Sequence, residues 1–169
     1  MRVFAAVALF AALTSCASTS SQTGTTAGTT SVGTSVGPPE GPIRAEESRV
    51  LGMLAEPAEA TPVLAPSSVR VGERFMVTIT TTGSGCDRLG DSGILMGERD
   101  ATIMVYDFTS ANRPGVACTM IFKMLKREIP LTFTQPGEAV IRVWGRRSRP
   151  DGAPGGEPYI VERRVEVGG

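Results

Sequence analysis

The chain of 169 residues carries 17 Lys and Arg side chains against 17 Asp and Glu side chains, so its formal net charge is zero. This balance gives no general argument for binding to nucleic acid or to anionic lipid. The absence of His from the sequence excludes Ser-His-Asp catalysis, Cys-His nucleophiles and His-ligated metal or copper centres. Carboxylates or Lys would have to carry any catalysis, and we therefore expect a protein that is not an enzyme and has no metal or other cofactor.

The first 15 residues have the pattern of an export signal. Met1 and Arg2 form a positively charged N-terminal region, and residues 3–13 are uncharged and mostly apolar. A helix of this length rises about 16 Å at ~1.5 Å per residue, which is too short for a bilayer core of about 30 Å. The segment therefore predicts a cleaved signal rather than a transmembrane anchor.

Residues 13–16 read Leu-Thr-Ser-Cys and end this apolar run. They resemble the lipobox of bacterial lipoproteins. The resemblance implies cleavage before Cys16, acylation of the Cys16 thiol with palmitate-type chains, and a lipid anchor in the bacterial cell envelope. Ala17, rather than an Asp, follows Cys16, and by resemblance to proteobacterial sorting this favours the outer membrane over the inner membrane. The alternative is an ordinary secretory signal with a Cys near its end.

Residues 17–37 contain 12 Ser or Thr residues, 4 Gly residues and no charged side chain. Such a composition cannot bury enough apolar area to offset the entropy lost on ordering the chain. It predicts a flexible tether. We therefore divide the chain into a signal peptide at 1–15, a lipidated Cys and linker at 16–42, and one folded domain at 43–169.

The domain shows strand patterns and turn signals rather than helical periodicity. Phe75, Val77 and Ile79 alternate with Met and Thr residues, which is the period of two typical of a strand. Similar patterns predict strands at 49–55, 68–71, 75–82, 102–108, 128–134, 139–145 and 159–167. Two interpretations stay open, since residues 45–54 could form a short helix and residues 118–126 could form either a strand or helical turns.

Residues 131–145 contain an apolar strand, a Pro-Gly turn and a second apolar strand. This run resembles the E–F hairpin of bacterial immunoglobulin-like (Ig-like) domains, and residues 65–79 resemble the A–B region of the same domains. The resemblance implies an all-β domain, an antiparallel Ig-like β-sandwich of about seven strands.

Cys86 and Cys118 are the two cysteines that remain beside Cys16. Two cysteines in one domain usually pair in an oxidising compartment, so we expect a disulfide between them. The 31 residues between them contain no CxxC geometry, which argues against a redox or metal thiol pair. Because Cys86 follows its predicted strand, the disulfide should join loops near one end of the domain.

Two basic groups are candidate binding residues. Arg146, Arg147 and Arg149 lie in a Pro/Gly-rich segment and would either contact an anionic envelope partner or form a solvated hairpin. The second group has the same two interpretations and consists of Lys123, Lys126 and Arg127.

An acidic group follows Cys86 and consists of Asp87, Asp91, Glu98 and Asp100. Several carboxylates can bind Ca²⁺, but the spacing matches no EF-hand, and Arg88 and Arg99 interleave. We therefore expect a solvated loop without metal. The methionines are expected mainly as core fillers, and Trp144 is expected at the surface or rim of the sandwich.

Together these patterns predict a non-enzymatic envelope lipoprotein whose Ig-like domain binds through end loops at 83–100 and 146–158. The expected partners are the membrane, through the lipid on Cys16, and an envelope protein or an anionic glycan, but not nucleic acid. One alternative is an envelope protease inhibitor that blocks an active site with its loops. Another is a polyanion-binding or glycan-binding envelope protein.

Overall fold

The computed structural model describes residue 44 and residues 46–56, 61–147 and 156–169. Over these residues the protein is all-β, as the sequence predicts, and none of them lies in a helix. The strands in chain order are β1 (Ser48–Leu51), β2 (Met53–Leu54), β3 (Val63–Leu64), β4 (Ser68–Arg70), β5 (Arg74–Gly83), β6 (Asp87–Met96), β7 (Asp100–Thr109), β8 (Lys123–Thr132), β9 (Gly137–Arg146) and β10 (Pro158–Gly168).

One continuous, curled sheet contains the ten strands of the described residues. β7 pairs with β6 along one side and with β1 and β9 along the other, and β9 pairs with β10 over its whole length. β5 pairs with β8 over its whole length and with the short strands β2 and β3 on its other side. Among the described strands, β6 and β8 each have one pairing partner and are long edge strands.

Most neighbouring strands are antiparallel, but three pairs are parallel: β7 with β9, β2 with β9, and β4 with β10. The predicted antiparallel arrangement therefore holds for most pairs and not for all. Parallel neighbours need connections that cross over rather than tight hairpins. Periodicity within one strand does not specify which distant strand becomes its neighbour, so the sequence pattern could not predict these pairs.

Gly52 lies where the first extended segment passes from β7 to β5. Its N–H donates to the Val105 carbonyl, and its own carbonyl accepts from the Arg146 N–H, both at 2.8 Å. A Cβ atom here would lie 2.8 Å from Asp107 Oδ2 and from Thr81 Cγ2, closer than van der Waals contact allows. A residue without a side chain is therefore needed at this close approach, and the described part of the segment is extended rather than helical.

The inner face of the curl is one continuous apolar core. Alternate residues of the long strands contribute to it, because side chains along a strand point to opposite faces in turn. The members with at most 1% of their surface exposed are Leu54, Val63, Val77, Ile79, Ala101, Ile103, Val105, Ile129, Phe133, Ala139, Ile141, Val143, Val165 and Val167. Burying one such large aliphatic side chain contributes roughly 1.5–3 kcal/mol, so this core is the main stabilising element of the sheet.

Strand β6 occupies most of the segment 83–100, which the sequence predicts as an acidic end loop, and that prediction is wrong. Its Gly, Asp and Ser residues have low strand propensity, but most of β6 pairs with the long strand β7. Ser92 and Ile94 turn inward and are buried. Pairing with a neighbouring strand therefore overrides the local preference of the segment.

A β-bulge interrupts β6. The register with β7 shifts between Leu89 and Ser92, so that Gly90 and Asp91 oppose the single residue Tyr106. A bulge of this kind disturbs the hydrogen-bond ladder locally. Backbone groups near it must then find other partners if they are buried.

All seven predicted strands overlap observed ones. The described residues contain ten strands where the sequence predicts about seven, because Gly52 divides the first predicted strand and because β3 and β6 were not predicted. Residues 118–126, which the sequence allowed as either a strand or helical turns, form neither along their whole length. β8 begins at Lys123, and the residues just before it form neither strand nor helix. Gly137, in the predicted Pro-Gly turn, has a φ of 111°, which glycine adopts readily.

Candidate functional site

Cys86 and Cys118 form the predicted disulfide. Cys86 directly precedes β6, and Cys118 lies in the segment that leads into β8. The bond thus joins the chain entering one long edge strand to the chain entering the other. Both residues are half-buried, and the disulfide ties segments at one end of the domain, as expected.

Hydrogen bonds reinforce this junction. The Gly85 N–H donates to the Thr119 carbonyl at 3.1 Å. The Lys123 ammonium donates to the Gly85 carbonyl at 3.4 Å and to the Asp87 carbonyl at 3.2 Å. The chain between the disulfide and β8 is therefore held at both of its ends.

The N-terminal end of the domain arrives at the same place. Ser48, the first residue of β1, and Asp87, the first residue of β6, both lie opposite Thr109 at the end of β7. Glu46 forms an ion pair with Arg113 at 2.8 Å between Oε2 and Nη1. We name this region the disulfide end, which comprises residues 46–48, 84–88 and 109–123.

Glu47 and Arg88 form a bidentate ion pair at the disulfide end. Arg88 Nε and Nη2 donate to the two Glu47 carboxylate oxygens at 2.7 and 2.6 Å, and the guanidinium lies 4.5 Å above the centre of the Phe108 ring. The hydrogen bonds from Arg88, followed by that from the Arg44 N–H, lower the pKa of Glu47 from 4.5 to about 2. Only 8% of the Glu47 side chain is exposed, so the pair fixes the point where the chain enters β1.

Three consecutive large apolar side chains project from the disulfide end into solvent. Met120, Ile121 and Phe122 are 100%, 58% and 55% exposed, and Met124 on β8 is 43% exposed. Single exposed apolar residues are common on protein surfaces, whereas a contiguous group often marks an interaction site. We name residues 120–122 the apolar segment. The expectation that methionines fill the core is wrong for Met76, Met120 and Met124, which are all exposed.

A buried ion pair joins β8 to β7 inside the curl. Arg127 Nη2 donates to Asp107 Oδ1, and the two side chains are 6% and 5% exposed. Arg127 Nη1 also donates to the Tyr106 carbonyl at 2.8 Å and to the Asp91 carbonyl at 3.1 Å. Both carbonyls lie at the bulge, so the guanidinium supplies partners to backbone groups there.

The interactions of Arg127 and Asp107 do not fully offset the loss of hydration on burial. Burial raises the pKa of the Asp107 carboxyl above its ordinary value, because the loss of hydration outweighs the attraction of Arg127. Arg127 Nε is buried and has no hydrogen-bond partner among the described residues. Such a pair contributes less to stability than its short contacts suggest, but removal of one partner alone is costly.

Sequence reasoning missed this pair, although strand periodicity contained the signal. Arg127 is in phase with Ile129 on β8, and Asp107 is in phase with Val105 on β7. Each is the charged member of a set that faces the core. Two opposite charges at inward positions of two strands are a reason to expect a buried ion pair.

The predicted basic loop is only partly described. Arg146 ends β9, and its Nε donates to the Leu51 carbonyl at 2.6 Å. Arg147 is exposed, and its guanidinium lies 4.2 Å above the centre of the Tyr159 ring. Arg149 lies outside the described residues. Arg146 is thus engaged by the fold, whereas Arg147 presents charge to solvent.

The second basic group does not form one surface. Arg127 is buried, Lys123 is half-buried and bonded to backbone carbonyls, and Lys126 is exposed. Trp144 lies on the outer face of β9 opposite Ile160 of β10 and is 37% exposed. This position agrees with the expectation of a surface tryptophan.

The four predicted acidic residues are also dispersed. Asp87 accepts hydrogen bonds from the Ser84 N–H at 2.6 Å and the Ser84 hydroxyl at 2.7 Å. Asp91 pairs with Arg49 at 2.8 Å, and the other two carboxylates are exposed near the start of β7. In the part of the chain that the structure describes, no three His, Cys, Asp or Glu residues are grouped so that they could hold a metal ion.

Comparisons with protein-family models, with curated proteins and with solved structures each found no match. Within the described ranges, no helix is long and apolar enough to cross a bilayer. The predicted signal peptide, Cys16 and the Ser/Thr/Gly-rich linker lie outside those ranges, so the lipid anchor stays a prediction from the sequence. The disulfide end, with its apolar segment, is the candidate functional site.

Proposed function

We propose that this protein is a lipoprotein of the bacterial cell envelope whose folded domain acts by binding and not by catalysis. In this proposal the chain is cleaved before Cys16, acylated on that residue and retained at a membrane, the outer membrane in preference to the inner one. The tether then separates the anchor from the domain. The pattern of residues 13–16 supports the anchor, and the domain supplies independent support for export.

The Cys86–Cys118 disulfide carries this proposal, because it is the feature of the domain that depends on its compartment. Disulfides form and persist in oxidising compartments and are rare in the cytoplasm, where thiols are kept reduced. A chain exported by the predicted signal would meet the oxidising condition. Two separate features, one in the first 16 residues and one in the domain, therefore favour the same location.

We further propose that the curled sheet is an Ig-like β-sandwich. The support is that β5 pairs with β8, that β9 pairs with both β7 and β10, and that both groups of strands contribute residues to one core. The chain passes between the two groups several times, first at Gly52 and last at the Pro-Gly turn between β8 and β9. That last passage coincides with the run 131–145, which resembles an Ig-like E–F hairpin.

Metabolic labelling with a clickable palmitate analogue tests the proposed anchor. Wild-type protein should be labelled in an expressing bacterium, and Cys16→Ala should lose the label. A variant with Cys86→Ala and Cys118→Ala is the matched control, because it lacks the other two cysteines and should keep the label. An unlabelled wild-type protein, or a labelled Cys16→Ala variant, contradicts the proposal.

Binding of an anionic glycan is a second candidate, which the exposed Arg147 favours. The Arg147 side chain is 55% exposed, and its Nε lies 4.0 Å from Glu56 Oε1. Arg147→Ala should reduce salt-sensitive retention on an anionic glycan column. Arg164→Ala is the matched control, because Arg164 is 69% exposed and pairs with Glu138. If both variants are retained like the wild type, this candidate is removed.

The protease-inhibitor alternative also stays a prediction. Its sequence basis is the expectation that end loops of the domain block an active site. Titration of purified bacterial envelope proteases with the protein would test it, and inhibition at equal molar amounts is the expected result. Full protease activity in the presence of excess protein would exclude it.

A further inference from the structure

The apolar segment is exposed although it is firmly held. No part of Met120 is covered by described residues, and more than half of Ile121 and of Phe122 is open to solvent. The Cys118 disulfide precedes the segment, and the Lys123 ammonium, bonded to backbone carbonyls, follows it. A segment held at both ends loses little conformational entropy when it docks, and this favours a binding role.

The chain that leads towards Cys16 leaves the domain at the same end as the apolar segment. Glu46 pairs with Arg113, and Ser48 lies opposite Thr109; both contacts belong to the disulfide end. Residues 17–43 separate Cys16 from the first described residue. The composition of residues 17–37 predicts a flexible tether, and a flexible chain as long as residues 17–43 would have an r.m.s. span of roughly 30 Å, from about 5–6 Å times the square root of the residue number. The disulfide end would therefore stay close to the membrane that holds the anchor.

The size of the apolar segment fits a lipid surface better than a protein partner. A stable protein interface buries about 800 Å² on each side, which is more than three neighbouring side chains provide. Insertion into the interface of a bilayer needs no matching protein surface, and its strength grows with the apolar area that is buried. A second attachment on a short tether also acts at a high effective concentration, so a weak contact suffices.

We propose that the apolar segment inserts into the surface of the membrane in which Cys16 is anchored, so that the disulfide end faces the bilayer. The opposite end of the domain then faces away from the membrane. This inference rests on the proposed lipid anchor. It assigns the anchor and the apolar segment to one membrane, as two attachments of the same domain.

Single-tryptophan fluorescence tests this orientation, because Trp144 is the single tryptophan of the chain. Phe122→Trp combined with Trp144→Phe gives a reporter variant whose one indole lies in the apolar segment, and the wild-type protein keeps its indole on the outer face of β9. Both full-length mature proteins are reconstituted into phosphatidylcholine vesicles with ordinary or brominated acyl chains. Brominated lipids should quench most of the emission of the reporter variant and should leave the emission of wild-type Trp144 unchanged.

Further variants and a mass measurement separate the two proposals. Met120→Ser with Ile121→Ser, added to the reporter variant, should abolish the quenching, while retained circular dichroism spectra show that the fold is intact. Unquenched emission from a reporter variant that floats with the vesicles overturns the inference and leaves the lipid anchor in place. The intact mass of the same sample shows separately whether Cys16 is acylated. If no acyl mass is present, quenching of the reporter variant supports insertion of the apolar segment without a lipid anchor. Unquenched emission overturns that insertion.

Discussion

Arg127 is a buried cation at a position of β8 where strand alternation calls for an apolar side chain. Its guanidinium bonds to the Asp107 carboxylate and to two backbone carbonyls at the β6 bulge. The carboxylate neutralises the charge, and the guanidinium donates to the Asp91 and Tyr106 carbonyls at the bulge. Arg127 therefore serves the bulge as well as Asp107.

Replacement of this arginine alone should destabilise the domain strongly. Arg127→Met leaves a buried carboxylate without its counter-ion, and such a change typically costs about 3–5 kcal/mol in the free energy of unfolding. Urea unfolding followed by circular dichroism measures the loss. Lys126→Met, at the exposed neighbouring position, is the matched control and should change stability little.

A double variant separates the two roles of Arg127. Arg127→Met with Asp107→Leu removes both charges, so it should recover part of the lost stability. Recovery should stay incomplete, because the Asp91 and Tyr106 carbonyls still lack the guanidinium. Full recovery would show that the bulge does not need the arginine.

The pair of Glu47 and Arg88 should make stability depend on pH in a defined window. The pKa of Glu47 is lowered in the folded protein from 4.5 to about 2. A lowered carboxyl pKa contributes stability above the unfolded value, and the contribution is lost as the pH falls through the folded value. Glu47→Gln should therefore be less stable than the wild type at pH 7. The difference should shrink below pH 4.5 and vanish near pH 2.

Chemical denaturation at a series of pH values checks this prediction. Glu46→Gln is the matched control, because its carboxylate is half exposed in an ion pair and such pairs contribute little. A stability difference between Glu47→Gln and the wild type that stays constant from pH 7 to pH 2 would contradict the lowered pKa of Glu47 in the folded protein.

At the scale of elements, the bulge of β6 depends on the small size of Gly90. A Cβ atom at Gly90 would lie 2.5 Å from the Tyr106 carbonyl oxygen, which is backbone and cannot rotate away. Overpacking of this kind costs about 1–3 kcal/mol, so Gly90→Ala should destabilise the domain. Gly93→Ala in the same strand is the control, since its nearest atom is the flexible Met104 Cε at 3.4 Å. Equal urea midpoints for the two variants would contradict the close approach.

The disulfide should contribute measurably to stability, because it joins the approaches to the two long edge strands. Its cysteines are 32 positions apart, and cross-linking a loop of this size stabilises by roughly 3–4 kcal/mol on the chain-entropy account. Thermal unfolding with and without dithiothreitol measures the contribution, with Cys86→Ala plus Cys118→Ala as the reference. The variant should not respond to the reductant. A wild type whose unfolding is also insensitive would contradict a stabilising role.

The sequence predicts those elements whose own residues alternate between polar and apolar. β5, β8, β9 and β10 have this pattern, and so their positions could be predicted. β6 could not, because its Gly, Asp and Ser residues become a strand only by pairing with β7. The apolar segment was not predicted either, since composition does not show that Met120 is fully exposed. Cys86 and Cys118 could be paired, since they are the two cysteines beside Cys16.

At the scale of the whole molecule, the described residues form one domain that is closed at one end by a disulfide and is entered there by its N-terminal chain. Glu46 and Glu47 are both tied to that end by arginines. A lipid on Cys16 would therefore hold the disulfide end near the membrane. The proposed lipid anchor depends on acylation of this single cysteine, and the proposed orientation rests on that anchor.

The intact mass of the mature protein, purified from bacterial membranes in detergent, is the decisive test of acylation at Cys16. We expect a chain that begins at Cys16 and carries the added mass of a diacylglyceryl group, with or without a further N-acyl chain. We also expect a gain of mass on reduction and alkylation, from Cys86 and Cys118. A water-soluble product without lipid, or a chain cut at another residue, would contradict the lipid anchor and the orientation that rests on it.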